Sequence, residues 1–119
     1  MKIKKELVER LSEISKSAYP NEVAGLLLKT KDVIDDFVIM PGESTTFQVN
    51  VQMHMLPIYP NAAGTFHCHP SSSNSPSTAD LRFFTTVGRT HIIICLPYSF
   101  NSMAAYDTKG KPVSLEVVE

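Results

Sequence analysis

Apolar residues recur at intervals of four and three near the start of the chain. They are Ile3, Leu7, Leu11, Ile14 and Ala18, with Lys, Glu and Arg between them. That period predicts an amphipathic helix with one face in the core. Pro20 marks its end, and Tyr19, just before the proline, is biased toward an extended backbone. The pattern then changes. Glu22 to Lys29 holds a short continuous apolar run between Pro20-Asn21 and Lys31-Asp32, which predicts a buried strand. Val33 to Met40 is rich in Val, Ile and Phe and predicts a second strand, ended by Pro41-Gly42.

Glu43 to Asn61 is the least decided stretch. A short strand at Phe47 to Val51 fits its composition, and Pro57 and Pro60 oppose a long regular element after it. Met53, Met55, Leu56, Ile58 and Tyr59 suit either a substrate groove or core filling. Ala62 to His69 reads as a strand. Pro70 to Pro76, with two prolines, four serines and an asparagine, reads as a loop. Ser77 is placed to cap a helix and Asp80 stands at its third position, a capping-box pair. Leu81, Phe84 and Thr85 carry that helix to a stop at Gly88. His91 to Leu96 predicts a buried strand, with His91 at its polar end. Asn101 to Tyr106, a turn at Asp107 to Gly110, and Val113 to Val118 predict a C-terminal hairpin. No repeat or linker interrupts the order, so 1–119 reads as one α/β domain, a mixed sheet flanked by helices.

Composition narrows the function without naming it. At 119 residues, 43% hydrophobic and 19% charged, the chain suits one soluble domain with a real core. A net charge of -1 and the lack of a basic run disfavour nucleic acid as partner. No apolar segment reaches the roughly 20 residues needed to span a bilayer. The first residues lack the apolar core of a secretory signal, so the expected location is cytoplasmic. Cys68 and Cys95 form no framework and no CxxC pair. They read as free buried thiols, or as one bridge if their strands are neighbours.

Chemistry concentrates in His67-Cys68-His69-Pro70 and Ser77-Thr78-Ala79-Asp80. Side chains alternate along a strand, so His67 and His69 share a face and Cys68 points away. Asp80, eleven residues after His69, can return to that face through a loop and one helical turn. Taken singly, each of these has a plain structural explanation; together they have no evident packing purpose. Two histidines and an aspartate give zinc three ligands and leave the fourth position for water, the pattern of a catalytic site. A general base is also required, and no HExxH motif supplies one. Glu22 is the candidate because it opens an apolar strand. Glu6, Glu9, Glu13 and Glu43 compete on spacing alone. His54 reads as a surface or packing residue.

Glu22-Val23-Ala24-Gly25-Leu26-Leu27, His67-Cys68-His69-Pro70 and Ser77-Thr78-Ala79-Asp80 together resemble the JAMM (MPN+) metalloprotease family, in its compact single-domain archaeal or bacterial form. The resemblance implies a curved mixed sheet with flanking helices, related to the cytidine deaminase architecture. It implies one zinc per chain on His67, His69 and Asp80, with Glu22 as general acid/base and Ser77 as oxyanion donor. It also implies isopeptidase or peptidase activity at the C-terminal tail of a ubiquitin-like, β-grasp modifier or sulfur carrier. Two positions depart from the family pattern. Cys68 stands where Ser or Thr is common, and Leu27-Leu28-Lys29 replaces a later glycine. A non-catalytic scaffold of the same fold is the alternative. A nucleobase deaminase would need H-x-E and P-C-x-x-C, and neither occurs.

Overall fold

The computed structural model describes residues 1–40 and 59–119. The chain opens with β1 (Lys2–Lys4), then α1 (Lys5–Ala18), β2 (Ala24–Thr30) and β3 (Val33–Met40). After the next described residues come β4 (Ala62–Cys68), α2 (Thr78–Phe84), β5 (His91–Ile94) and a 3-10 turn (Phe100–Ser102). β6 (Met103–Tyr106), β7 (Pro112–Val113) and β8 (Glu116–Val118) complete the order. The eight strands of the described residues form one sheet, in the sequence β7-β6-β5-β4-β2-β3-β1-β8. It is mixed: β4 runs parallel to β5, and β1 parallel to β3 and β8, while the remaining pairs are antiparallel. This is the expected α/β architecture, a curved mixed sheet flanked by helices.

Strand parity sorts the side chains into two layers. Leu27, Phe66, Cys68, Ile92 and Ile94 face α1 and join Ile3, Leu7, Val8 and Leu11 in the largest core cluster. Leu26 and Leu28 face α2 and pack on Phe83 and Val87. Ile93 joins Phe84 and Tyr106 on that side. The apolar run of β2 therefore has no alternation because both of its faces are covered.

Several expectations change in detail. Ile3 is fully buried in a strand, not in the helix, which starts at Lys5. The helix buries Leu7, Val8, Leu11 and Ser15, while Ile14 and Ala18 are half-buried. The period was real, but its first member belongs to the sheet. Glu22 lies two residues before β2 instead of opening it. α2 ends at Phe84, where Thr85 and Thr86 turn their hydroxyls back to the Arg82 and Phe83 carbonyls. Gly88 marks a later sharp turn with φ +70. The strand beginning at His91 stops at Ile94.

Val113 to Val118 is not one hairpin arm. It splits into β7 and β8, which occupy opposite ends of the strand order. Phe47 to Val51, His54 and the methionine-rich segment lie outside the described residues. Tyr59, the described member of that cluster, packs on the Leu26-Phe83 layer. Among the described residues no helix is long and apolar enough to cross a membrane.

Candidate metal centre

The carboxyl ends of the parallel pair β4 and β5 carry the candidate site. His67, the penultimate residue of β4, faces the α2 side, and Cys68, the last, faces α1, as alternation requires. His69 lies one residue past the strand but keeps its register, because its N–H donates to the Ile94 carbonyl at 2.8 Å. The two imidazoles therefore share a face, perpendicular to each other with centroids 5.0 Å apart.

α2 brings the aspartate. Ser77 Oγ accepts from the Asp80 N–H at 3.1 Å, and Asp80 Oδ2 accepts from the Ser77 N–H at 2.8 Å. This is the full capping box that the sequence predicted. It turns Asp80, only 3% exposed, toward the histidines. Asp80 Oδ1 lies 2.9 Å from His67 Nδ1, and Oδ2 lies 3.1 Å from His69 Nε2. Burial by itself would raise the Asp80 pKa. Hydrogen bonds to His67, His69 and the Ser77 N–H outweigh burial and hold it far below the usual carboxylate range. The His69 pKa is raised, chiefly by its hydrogen bond to Asp80.

Glu22 approaches from the other side. β2 and β4 are antiparallel with Ala24 opposite His67, and the Cys68 N–H continues the ladder by donating to the Val23 carbonyl at 3.0 Å. Glu22 has the same parity as Ala24 and Leu26, so it faces the histidines, with Oε1 3.4 Å from His67 Nε2. Its side chain is 52% exposed. Glu22, His67 and His69 each bring a donor atom within 4.8 Å of the others. These residues line an open cleft of about 290 Å³ together with Ser77 and Phe83.

The serine-rich loop is more than a solvated connector. Ser73 offers its carbonyl to His69 Nδ1 at 3.2 Å, and Tyr98 Oη donates to the His69 carbonyl at 3.3 Å. The Leu96 N–H donates to the Ser71 carbonyl at 2.8 Å. Asn74 donates to the Ser102 carbonyl and accepts on its own carbonyl from Tyr106 Oη. Polar composition foretold a loop, but the Asn74–Ser102, His69–Tyr98 and Asn74–Tyr106 partners lie 28 to 32 residues apart in sequence, where no local pattern shows them.

The proton inventory tests whether a cation fits. A carbonyl can only accept, so His69 Nδ1 carries its proton toward Ser73. His69 Nε2 then faces a carboxylate oxygen with its lone pair unless a second proton or a cation intervenes. Both nitrogens of His67 also face carboxylates. Two neutral imidazoles have two N–H groups for four acceptor contacts, so the cluster calls for added positive charge. Two ring nitrogens and a fixed carboxylate suit a divalent transition metal such as zinc.

Ser77 departs from the simple expectation. Its hydroxyl accepts the helix cap, but its proton goes to Asp80 Oδ2 at 2.9 Å and is already engaged. His91 departs further. It lies fully buried, stacked on Phe84 at 4.4 Å with Nδ1 2.9 Å from Thr65 Oγ1, where a polar strand end was expected. Burial pushes its pKa down to about 4, with the Gly88 carbonyl and Asp107 opposing. Cys68 and Cys95 are both free and buried, so the bridged alternative falls away.

A curled α/β sheet with two histidines and a capped aspartate at its parallel strand ends defines the class. The chain belongs to the prokaryotic homologues of the JAB domain, whose family model matches residues 4–107. It is 34% identical over 118 residues to a probable metalloprotease of Haloferax volcanii, covering 90% of this chain and 73% of that protein. It superposes with a TM-score of 0.83 on a JAB1/MPN domain protein from Archaeoglobus fulgidus, 43% identical over the full length of both chains. A structure described as JAMM, a metalloprotease-like zinc site in the proteasome and signalosome, is 40% identical with a TM-score of 0.81. That match covers 100% of this chain and 98% of the other.

Proposed function

We propose that this chain is a zinc-dependent peptidase of isopeptidase type. Its substrate is an amide at the C-terminal tail of a ubiquitin-like, β-grasp protein, either a modifier or a sulfur carrier. The observation that carries the reading is the convergence of Asp80 on both His67 and His69, with the exposed Glu22 carboxylate against the same pair. The similarity to a probable metalloprotease and to a JAMM zinc site supports it.

The two carboxylates divide the labour by environment. Asp80 is buried and strongly anionic with both oxygens fixed, which suits a ligand alongside His67 and His69. Glu22 is half exposed and touches only His67 Nε2 among the contacts described, which suits a group that must exchange protons with water and substrate. His67, His69 and Asp80 would hold one zinc per chain, which would supply a Lewis acid to polarise the scissile carbonyl and lower the pKa of water toward about 7. Glu22 takes the proton of the attacking water and returns it to the departing amine. Ser77 donates to the developing oxyanion once its hydroxyl leaves Asp80 Oδ2. The Ser73 carbonyl fixes the His69 tautomer, so Nε2 is the nitrogen that would ligate. An extended Gly-rich tail fits an open cleft because it needs little side-chain room.

The test pairs metal analysis with cleavage of β-grasp fusion proteins. About one zinc per chain after dialysis, with cleavage at the fusion junction, is expected. In Glu22→Gln, kcat falls about 100-fold or more while zinc content and melting temperature stay. Zinc retained without cleavage of any such fusion, by wild type as by the variant, would favour a metal-binding scaffold of the same fold.

A further inference from the structure

The residue between the two histidines faces the opposite side of the sheet, and there it holds the segment that carries Glu22. Cys68 Sγ accepts from the Val23 N–H at 3.1 Å, and its S–H points to the Asn21 carbonyl at 3.9 Å. Its own N–H donates to the Val23 carbonyl at 3.0 Å. The thiol therefore grips the peptide groups on both sides of Glu22. That grip matters because Glu22 lies outside regular pairing, two residues before β2 begins, with its side chain 52% exposed. Among the described residues its carboxylate meets only His67 Nε2, so the backbone around Glu22 sets where that carboxylate stands. Cys68 itself is fully buried in the α1-side core with Phe66, Ile94 and Tyr98.

We propose that Cys68 is the positioning residue for Glu22. One β4 side chain, set between the two ligand histidines, locks the base-bearing segment to the ligand strand, so ligands and base move as one unit. The inference rests on the reading of Glu22 as the general base. It assigns Cys68 no contact with metal or substrate. Any replacement must both accept from Val23 and donate to Asn21. A hydroxyl can do this and a methyl cannot.

Cys68→Ala and Cys68→Ser are compared with wild type and Glu22→Gln, each zinc-loaded for kinetics and zinc-free for amide exchange. In Cys68→Ala the Val23 amide exchanges about tenfold faster or more. Its kcat on a β-grasp fusion falls about 10- to 100-fold, as a displaced catalytic group allows, while KM and zinc content hold. In Cys68→Ser both quantities return to within a few-fold of wild type, which separates the hydrogen bonds from mere core filling. Unchanged Val23 exchange in Cys68→Ala overturns the proposal. So does faster exchange with unchanged kcat, provided Glu22→Gln still lowers kcat. If Glu22→Gln matches wild type, the base assignment itself fails, and the positioning role in catalysis falls with it.

Discussion

The three described histidines of this chain have opposite surroundings, two against one, and the contrast is measurable. His67 and His69 stand among carboxylates. His91 stands in the α2-side layer between Phe84 and Thr65, with Nε2 lacking a hydrogen-bond partner among the described residues. Its pKa falls from 6.5 to about 4 on folding. The sign follows from linkage. Below about pH 6.5 the unfolded chain takes up a proton that the folded chain refuses until about pH 4. Stability is therefore full above 6.5 and is lost as pH falls through that window, by about 3 kcal/mol in all. The raised pKa of His69 acts in the opposite sense, present at low pH and lost as pH rises through it. The clean measurement is thus a difference: urea midpoints of wild type and His91→Gln at pH 7 and pH 4.5. Wild type should lose markedly more stability than the variant across that interval, and equal losses would show that His91 is not the titrating group. Nothing in the sequence separates His91 from a strand-end histidine, because its burial is set by α2 crossing above it. His67 and His69, by contrast, declare themselves through their spacing.

At the scale of elements, the site depends on how β4 leads through α2 into β5. The return from α2 crosses β4 with almost no clearance. Ala63 O accepts from both the Arg89 and Thr90 N–H groups, at 2.9 and 3.1 Å. A Cβ on Gly64 would stand 1.6 Å from the Thr90 carbonyl oxygen, and one on Gly88, whose φ is +70, would stand 2.2 Å from the Ala63 oxygen. Both obstacles are backbone, so neither can swing aside. Gly64→Ala should therefore cost about 1–3 kcal/mol or more, and because β4 must move, it should weaken zinc retention as well. Thermal melts with and without zinc would check this: a variant that melts like wild type in both would mean that the crossing is looser than described. The helix, its capping box and the strand of histidines were all legible from local chemistry. The crossing was not, since Gly88 reads equally well as a helix stop. The place of Glu22 was hidden for a related reason. A run apolar on both faces shows no alternation, so sequence gives no parity from which to aim its first polar residue; the family resemblance singled it out among five glutamates.

The whole molecule is governed by closure of the sheet. Eight strands laid flat would span about 34 Å from first to last axis. Yet β7 and β8, at the two ends of the order, are joined by Ser114 and Leu115 alone, so Val113 and Glu116 lie within about 11 Å of each other. The sheet must curl until its edges nearly meet. Leu115 packs into the α1-side core at that seam, and β8 then seals β1, with the Glu116 N–H donating to the Met1 carbonyl. No local pattern could announce this, because Val113 to Val118 looks like one strand and its partners are set by curvature. The seam lies away from the chemistry: β1 and β3 separate β8 from β2, and β5 and β6 separate β7 from β4. Stability and catalysis should therefore part company here. Removing residues 114–119 takes away the plug and the strand that covers β1, and should cost about 2–4 kcal/mol. Leu115→Ala, which keeps every strand, should cost about 1–2 kcal/mol for a half-buried side chain. Well below its melting temperature, Leu115→Ala should bind zinc and cleave the fusion substrate at the wild-type rate. A loss of kcat in that variant with its melting temperature unchanged would mean that the seam reaches the site through the sheet, and that closure shapes the cleft as well as holding the fold.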